Sequence, residues 1–186
     1  MGQENVAKWG IVGYYASHEP SETKRRGAMA GAEAKEEGAV TPRPAVDLNG
    51  QHSFKVDGKG RVAIPAPFRK VLSKELVVTR EPKDECVYVF EKPDFDEWVE
   101  KLFCDRFGGY KESDPRHVGL RRKLKARAYD VEVDASGRIM LSQDARTAAG
   151  IDKDVVIVGN TGRFEIWDAK RYAQMDDEID LGLLFA

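Results

Sequence analysis

Two segments of this 186-residue chain place an aspartate four residues ahead of an arginine across small turn residues: Asp57-Gly-Lys-Gly-Arg61 and Asp134-Ala-Ser-Gly-Arg138. Glycine supplies the positive φ of a tight turn, and aspartate accepts hydrogen bonds from backbone just beyond it. A carboxylate and a guanidinium at this spacing support two chemistries. One is structural, an ion pair that ties the turn shut. The other is recognition. A two-stranded ribbon fits the major groove of DNA, and the arginine fork matches O6 and N7 of guanine. In that second reading Asp57 holds Arg61 in place, and Asp134 does the same for Arg138. Lys55 and Lys59 then suit phosphates, which position without specifying sequence. Arg69 and its counterpart Arg146 follow the two hairpins near the start of the next helix.

The elements that must position these groups come in duplicate. Asp57–Pro65 is matched by Asp134–Ser142 at an offset of 77, which also pairs Arg69 with Arg146, Phe90 with Trp167 and Phe95 with Tyr172. Lys74–Thr79 aligns with Lys153–Val158 at an offset of 79. A fixed period of this kind marks two copies of one unit. In the first copy, Phe54–Val56 alternates like a half-buried strand and Arg61–Ile64 is its return. Pro65 ends that strand, and a short helix follows with Phe68, Val71 and Leu72 on its apolar face. Leu76–Thr79 and Cys86–Phe90 are two further strands. Phe95, Trp98, Val99 and Leu102 line a closing helix. The second copy repeats this with Val131–Val133, Arg138–Leu141, a helix from Gln143 to Gly150, Val155–Val158, Arg163–Trp167 and a last helix from Ala169. The class is mostly β with short helices (α+β). Phe90 and Trp167, at equivalent strand ends, read as core or interface anchors.

Five segments result. Residues 1–50 read as a disordered N-terminal extension, since between Ala16 and Ala45 only Met29 and Val40 are bulky and apolar; a loose helix at 29–37 is the alternative. Residues 51–98 are the first unit, 99–127 a helical connector, 128–171 the second unit and 172–186 a C-terminal helix or tail. The connector carries six Lys/Arg between Arg116 and Arg127. With Val118, Leu120 and Leu124 as a narrow apolar face, it is a solvated connector or a basic surface for phosphates or an acidic neighbour.

Composition excludes other classes. Cys86 and Cys104 form no disulfide framework and, with His18, His52 and His117 scattered, no zinc pattern. No metal or other cofactor is implied. No nucleotide loop and no nucleophile–base arrangement is present, which speaks against an enzyme. No apolar run approaches the ~20 residues of a membrane span, and the short run near Trp9 lacks the features of a signal peptide. A cytoplasmic protein with no membrane partner is the expectation.

The residues Asp57-Gly-Lys-Gly-Arg-Val-Ala-Ile-Pro65, Phe68-Arg69, Asp134-Ala-Ser-Gly-Arg-Ile139 and Val158-Gly-Asn-Thr-Gly-Arg-Phe-Glu-Ile-Trp-Asp168 resemble the MraZ family over about residues 51–176. These are bacterial transcriptional regulators built from two SpoVT/AbrB-type swapped-hairpin units. The resemblance implies that the two units pair as a pseudo-twofold β-barrel and that chains assemble as a homo-oligomeric ring. It also implies double-stranded DNA as partner, at tandem G-rich repeats upstream of the division and cell-wall gene cluster, a mainly repressing role, and a nucleoid-associated location. The residues it offers for DNA contact are Lys55, Asp57, Lys59, Arg61, Arg69, Asp134, Arg138 and Arg146.

Within that reading the two hairpins differ. Glu132 stands where the first has Lys55, and Ser136 where it has Lys59. The first hairpin is therefore expected to carry most DNA contact and the second to be more structural. Two alternatives are an antitoxin-like or protein-interaction module, for which one such unit and a toxin-binding tail suffice, and a non-specific nucleoid protein. The net charge of −2 argues against nucleic acid at first sight. Residues 51–186 remain balanced, with 24 Lys/Arg and 25 Asp/Glu. A near-neutral protomer binds DNA when several copies present one small basic face together.

Overall fold

The structure is a computed structural model and describes residues 44–185; most of the expected extension, 1–43, lies outside the described residues. Eight strands and five α-helices follow in order: β1 (Gln51–Lys55), β2 (Arg61–Ala63), α1 (Ala66–Arg69), β3 (Glu75–Arg80), β4 (Val87–Glu91), α2 (Lys92–Phe107), α3 (Pro115–Ala126), β5 (Tyr129–Glu132), β6 (Arg138–Met140), α4 (Gln143–Ala148), β7 (Asp154–Asn160), β8 (Arg163–Asp168) and α5 (Ala169–Glu178). A 3-10 turn at Leu181–Leu184 closes the series.

All pairing is antiparallel, and the strand order is β1-β7-β8-β4-β3-β5, with β2 and β6 forming a separate ribbon. Exchanging the two repeats leaves that order unchanged, so a pseudo-twofold passes between β8 and β4. Each unit lends its first strand to the other: β1 pairs with β7, Lys55 opposite Asp154, and β5 pairs with β3, Glu132 opposite Glu75. The swap is driven by burial. Phe54 and Val131 pack on one cluster that takes Phe68, Leu76 and Val78 from the first unit and Ile139, Ile157 and Phe164 from the second.

The sheet does not close into the expected barrel: its ladder has two free edges, β1 and β5. At Asp57 and Asp134 the chain turns back, and the three-residue return strands pair with each other, Val62 opposite Ile139, instead of sealing the edges.

A second, aromatic cluster lies under α2 and α3, with Phe90, Phe95, Val99 and Phe103 buried and Trp98, Tyr110 and Leu124 against them. Phe90 and Trp167 are both core residues, 1% and 7% exposed. α2 runs unbroken across 98/99, so that expected boundary falls inside a helix. The folded body also starts earlier than Gln51. Leu48 is 3% exposed, Val46 packs beside it, and a Cβ at Gly159 would come within 2.4 Å of the Leu48 carbonyl oxygen. Two apolar readings fail. Val71 lies beyond the four-residue α1 and is 58% exposed, and Leu120 is 44% exposed because α3 is covered on one narrow side only. Burial pushes the Cys86 thiol far above its ordinary range, so it behaves as a small apolar core group.

Candidate nucleic-acid interface

The two hairpins are built alike. Asp57 Oδ1 accepts from the backbone N–H groups of Lys59 and Arg61, both at 2.9 Å. Its Oδ2 accepts from Arg61 Nε at 2.8 Å and Nη2 at 2.7 Å. Asp134 Oδ1 accepts from Ser136 N at 2.9 Å and Arg138 N at 3.0 Å, and its Oδ2 from Arg138 Nε at 3.0 Å and Nη2 at 2.9 Å. The turns close through Gly60 (φ 83°) and Gly137 (φ 73°), a left-handed conformation natural to glycine. Asp57 and Asp134 thus tie turn backbone and arginine together at once, which is the structural half of the sequence reading.

The ion pair leaves the arginine usable. A guanidinium carries five N–H donors, and the carboxylate engages one on Nε and one on Nη2. In Arg61 the outer edge, Nη1 with the second hydrogen of Nη2, remains, while in Arg138 Nη1 also faces Asp57; the two side chains are 29% and 31% exposed. An arginine fixed along one edge presents the other at a defined angle.

The units interlock here. Ile64 N donates to Gly137 O, and Leu141 N to Gly60 O, each at 2.9 Å. Arg138 Nη1 lies 3.7 Å from Asp57 Oδ2. Arg69 and Arg146 cross over. A Cβ on Gly137 would meet Arg69 Nη1 at 2.3 Å, and one on Gly60 would meet Arg146 Nε and Nη2 at 3.2 Å. Arg69 therefore lies on the second hairpin, not beside Lys55, Lys59 and Arg61, and Arg146 lies on the first. The swap of β1 and β5 is the reason: each helix follows its own hairpin in sequence but sits against its partner's. Arg146 also donates from Nη2 to Gln143 Oε1 at 2.9 Å. Lys59 is exposed beside the turn, and Lys55 reaches Asp154 at 3.4 Å on the open surface.

One buried polar residue of the fold escaped the sequence reading. His117, set aside as an isolated histidine, is 4% exposed against Phe103 and Phe107, with Nδ1 accepting from Lys111 N at 3.1 Å. It locks α3 onto α2. Only the bracketing aromatics hint at this, and they lie in another helix.

The Arg61 guanidinium, then the Arg61 backbone N–H, hold the Asp57 carboxyl at about 2, below its ordinary 3.8. Asp134 is lowered in the same direction, first by the Arg138 backbone N–H and then by its guanidinium. A depressed value means a contribution that is complete above the ordinary value and lost as pH falls through the folded one. A carbon-13 carboxyl titration is therefore expected to find Asp57 still ionised at pH 3. A midpoint at the ordinary value would show that the pair is absent in solution.

Comparison with known proteins agrees with the duplication. The family model described as "MraZ protein, putative antitoxin-like" matches residues 48–107 and again 124–183, together more than half of the chain. Curated relatives called "Transcriptional regulator MraZ" include one from Nitrosomonas eutropha, 36% identical over 137 residues (72% of this chain and 86% of the relative). Another, from Lachnoclostridium phytofermentans, is 36% identical over 136 residues (70% and 92%), and one from Saccharopolyspora erythraea is 34% identical over 129 residues (69% and 86%). Both repeats match one family model and these relatives are aligned over most of their length, so the chain belongs to the MraZ family.

Proposed function

We propose that this chain regulates transcription by binding double-stranded DNA through its hairpin turns, as a homo-oligomeric ring at tandem G-rich repeats. Its target is the promoter of the division and cell-wall gene cluster, its own gene included, where it acts mainly as a repressor. The reading places it in the cytoplasm, on the nucleoid. The observation that carries it is the held arginine: Arg61 is fixed by Asp57 along one edge and keeps its other edge open at the end of a two-stranded ribbon.

Arg61 reads guanine, Lys55 and Lys59 take phosphates, and Arg146, resting on Gly60, adds a positive charge to the same turn. The second hairpin offers Arg138 and Arg69, but Glu132 stands opposite Glu75 on its strand, and two carboxylates repel a nearby phosphate. The first hairpin therefore contributes more, while Asp134 and Arg138 chiefly hold the shared ribbon. The name the curated relatives carry supports the regulator reading, and the basic side chains gathered at the first turn, Lys59, Arg61 and Arg146, support DNA over a protein partner.

The test is a titration of the full chain against the DNA upstream of its own gene at two salt concentrations. Each neutralised phosphate adds about −0.9 to the slope of log K against log salt on duplex DNA. Specific binding is expected to exceed that to a scrambled duplex at both salts, with a slope set by the number of phosphates the turns contact. A steep slope with no preference for the upstream DNA would replace the proposal with non-specific nucleoid binding.

A further inference from the structure

The pseudo-twofold is broken at α3. In the first unit, α2 is covered by α3: Arg121 pairs with Glu100, Lys125 pairs with Asp96, and His117 stacks on Phe103 and Phe107. The offset of 77 places Glu100 on Asp177, Leu102 on Ile179 and Phe107 on Leu184. The match is partial: Val99 and Phe103, which α2 buries, fall on Asp176 and Asp180, and Asp96 falls on Ala173, so the end of α5 and the segment after it carry their own acidic and apolar pattern. No helix among the described residues covers them. Ile179, Leu181, Leu183, Leu184 and Phe185 are 57–88% exposed, beside the acidic run Asp176–Glu178 and Asp180.

α3 has the matching surplus. Its inner face is spent on α2, but the opposite face shows Gly119, the exposed Leu120, Arg122 and Lys123, and the last two carry no ion pair among the described residues. We infer that residues 176–185 of one protomer dock on the outer face of α3 of a second copy, Arg122 and Lys123 meeting Asp176, Asp177 and Asp180 while Leu120 meets the apolar side chains. Charge complementarity and the α2–α3 pairing already present in each chain select a second copy as the occupant. The contact is heterologous, since the two surfaces differ, and such contacts close into rings or extend as filaments. This rests on the homo-oligomer reading above and supplies it with an interface.

The experiment measures the mass of the full chain by sedimentation equilibrium, with three variants checked for unchanged circular dichroism. Leu183→Glu/Leu184→Glu and, independently, Arg122→Glu/Lys123→Glu are each expected to lower the assembly mass at least twofold. Combining Arg122→Glu/Lys123→Glu with Asp176→Lys/Asp177→Lys/Asp180→Lys in one chain is expected to restore it. A multi-subunit wild type whose mass neither folded variant changes overturns the docking and leaves assembly standing. A monomeric wild type overturns both.

Discussion

Replacing Arg61 by alanine is expected to weaken binding to the upstream DNA by about 5- to 150-fold, since one bidentate arginine–guanine contact discriminates by about 1–3 kcal/mol. Arg138→Ala is expected to lose several-fold less. Both arginines pair with the aspartate of their own turn, and Arg138 Nη1 also lies 3.7 Å from Asp57 Oδ2. The difference comes from what surrounds them. Arg61 shares its turn with Lys59 and the crossed-over Arg146, whereas Arg138 has the crossed-over Arg69 but Ser136 in place of that lysine, Asp57 beside its Nη1, and Glu132 opposite Glu75 on the strand that leads into its turn. Fold damage is expected to be small for either, because Asp57 and Asp134 are part-exposed and water replaces the lost donor. Lys59→Ala provides the contrast. It is expected to weaken all duplexes alike and flatten the salt slope by about one phosphate contact. Binding titrations on the three variants decide the matter; equal losses for Arg61→Ala and Arg138→Ala, both folded, would sink the asymmetry.

The exchange of Arg69 and Arg146 shows where sequence reasoning stops. Composition and an offset of 77 identify two hairpins, each followed by its arginine, and they identify the turn residues because turn chemistry is local. Which hairpin an arginine touches is settled by β1 pairing with β7 and β5 with β3, and no local pattern encodes which unit a strand joins. Leu48 escaped for a related reason. It stands alone between turn residues, and its burial depends on Gly159, more than 100 residues away, having no side chain. His117 was hidden because its cage comes from Phe103 and Phe107 on another helix. Leu120 was read inward because an apolar residue in a basic helix implies a buried face; the structure leaves it outside, where the inferred contact needs it.

Phe68→Ala is expected to cost about 3–5 kcal/mol of stability, the usual range for deleting a fully buried aromatic ring. Phe68 is 1% exposed, and its ring meets His52 of β1 at 5.4 Å and Phe164 of β8 at 5.8 Å. It joins three elements that both repeats supply, so the loss is shared by the whole body. With total stabilities of about 5–15 kcal/mol and about 2–4 °C per kcal/mol at this size, the midpoint is expected to fall by roughly 6–20 °C. Val71→Ala, three residues on, is the control. Its side chain is 58% exposed, so a change within about 0.5 kcal/mol is expected. The exchanged strands add a second expectation, that both repeats melt in one cooperative transition in wild type and variant alike. Neither half holds its own β1 or β5 ladder, and β2 and β6 pair only with each other. Thermal unfolding followed by far-UV circular dichroism and by tryptophan fluorescence, with Trp98 in the first unit and Trp167 in the second, tests this. Coincident curves are required; a first unit that melts at a temperature of its own in Phe68→Ala would mean that the repeats are held together by less than the swap implies.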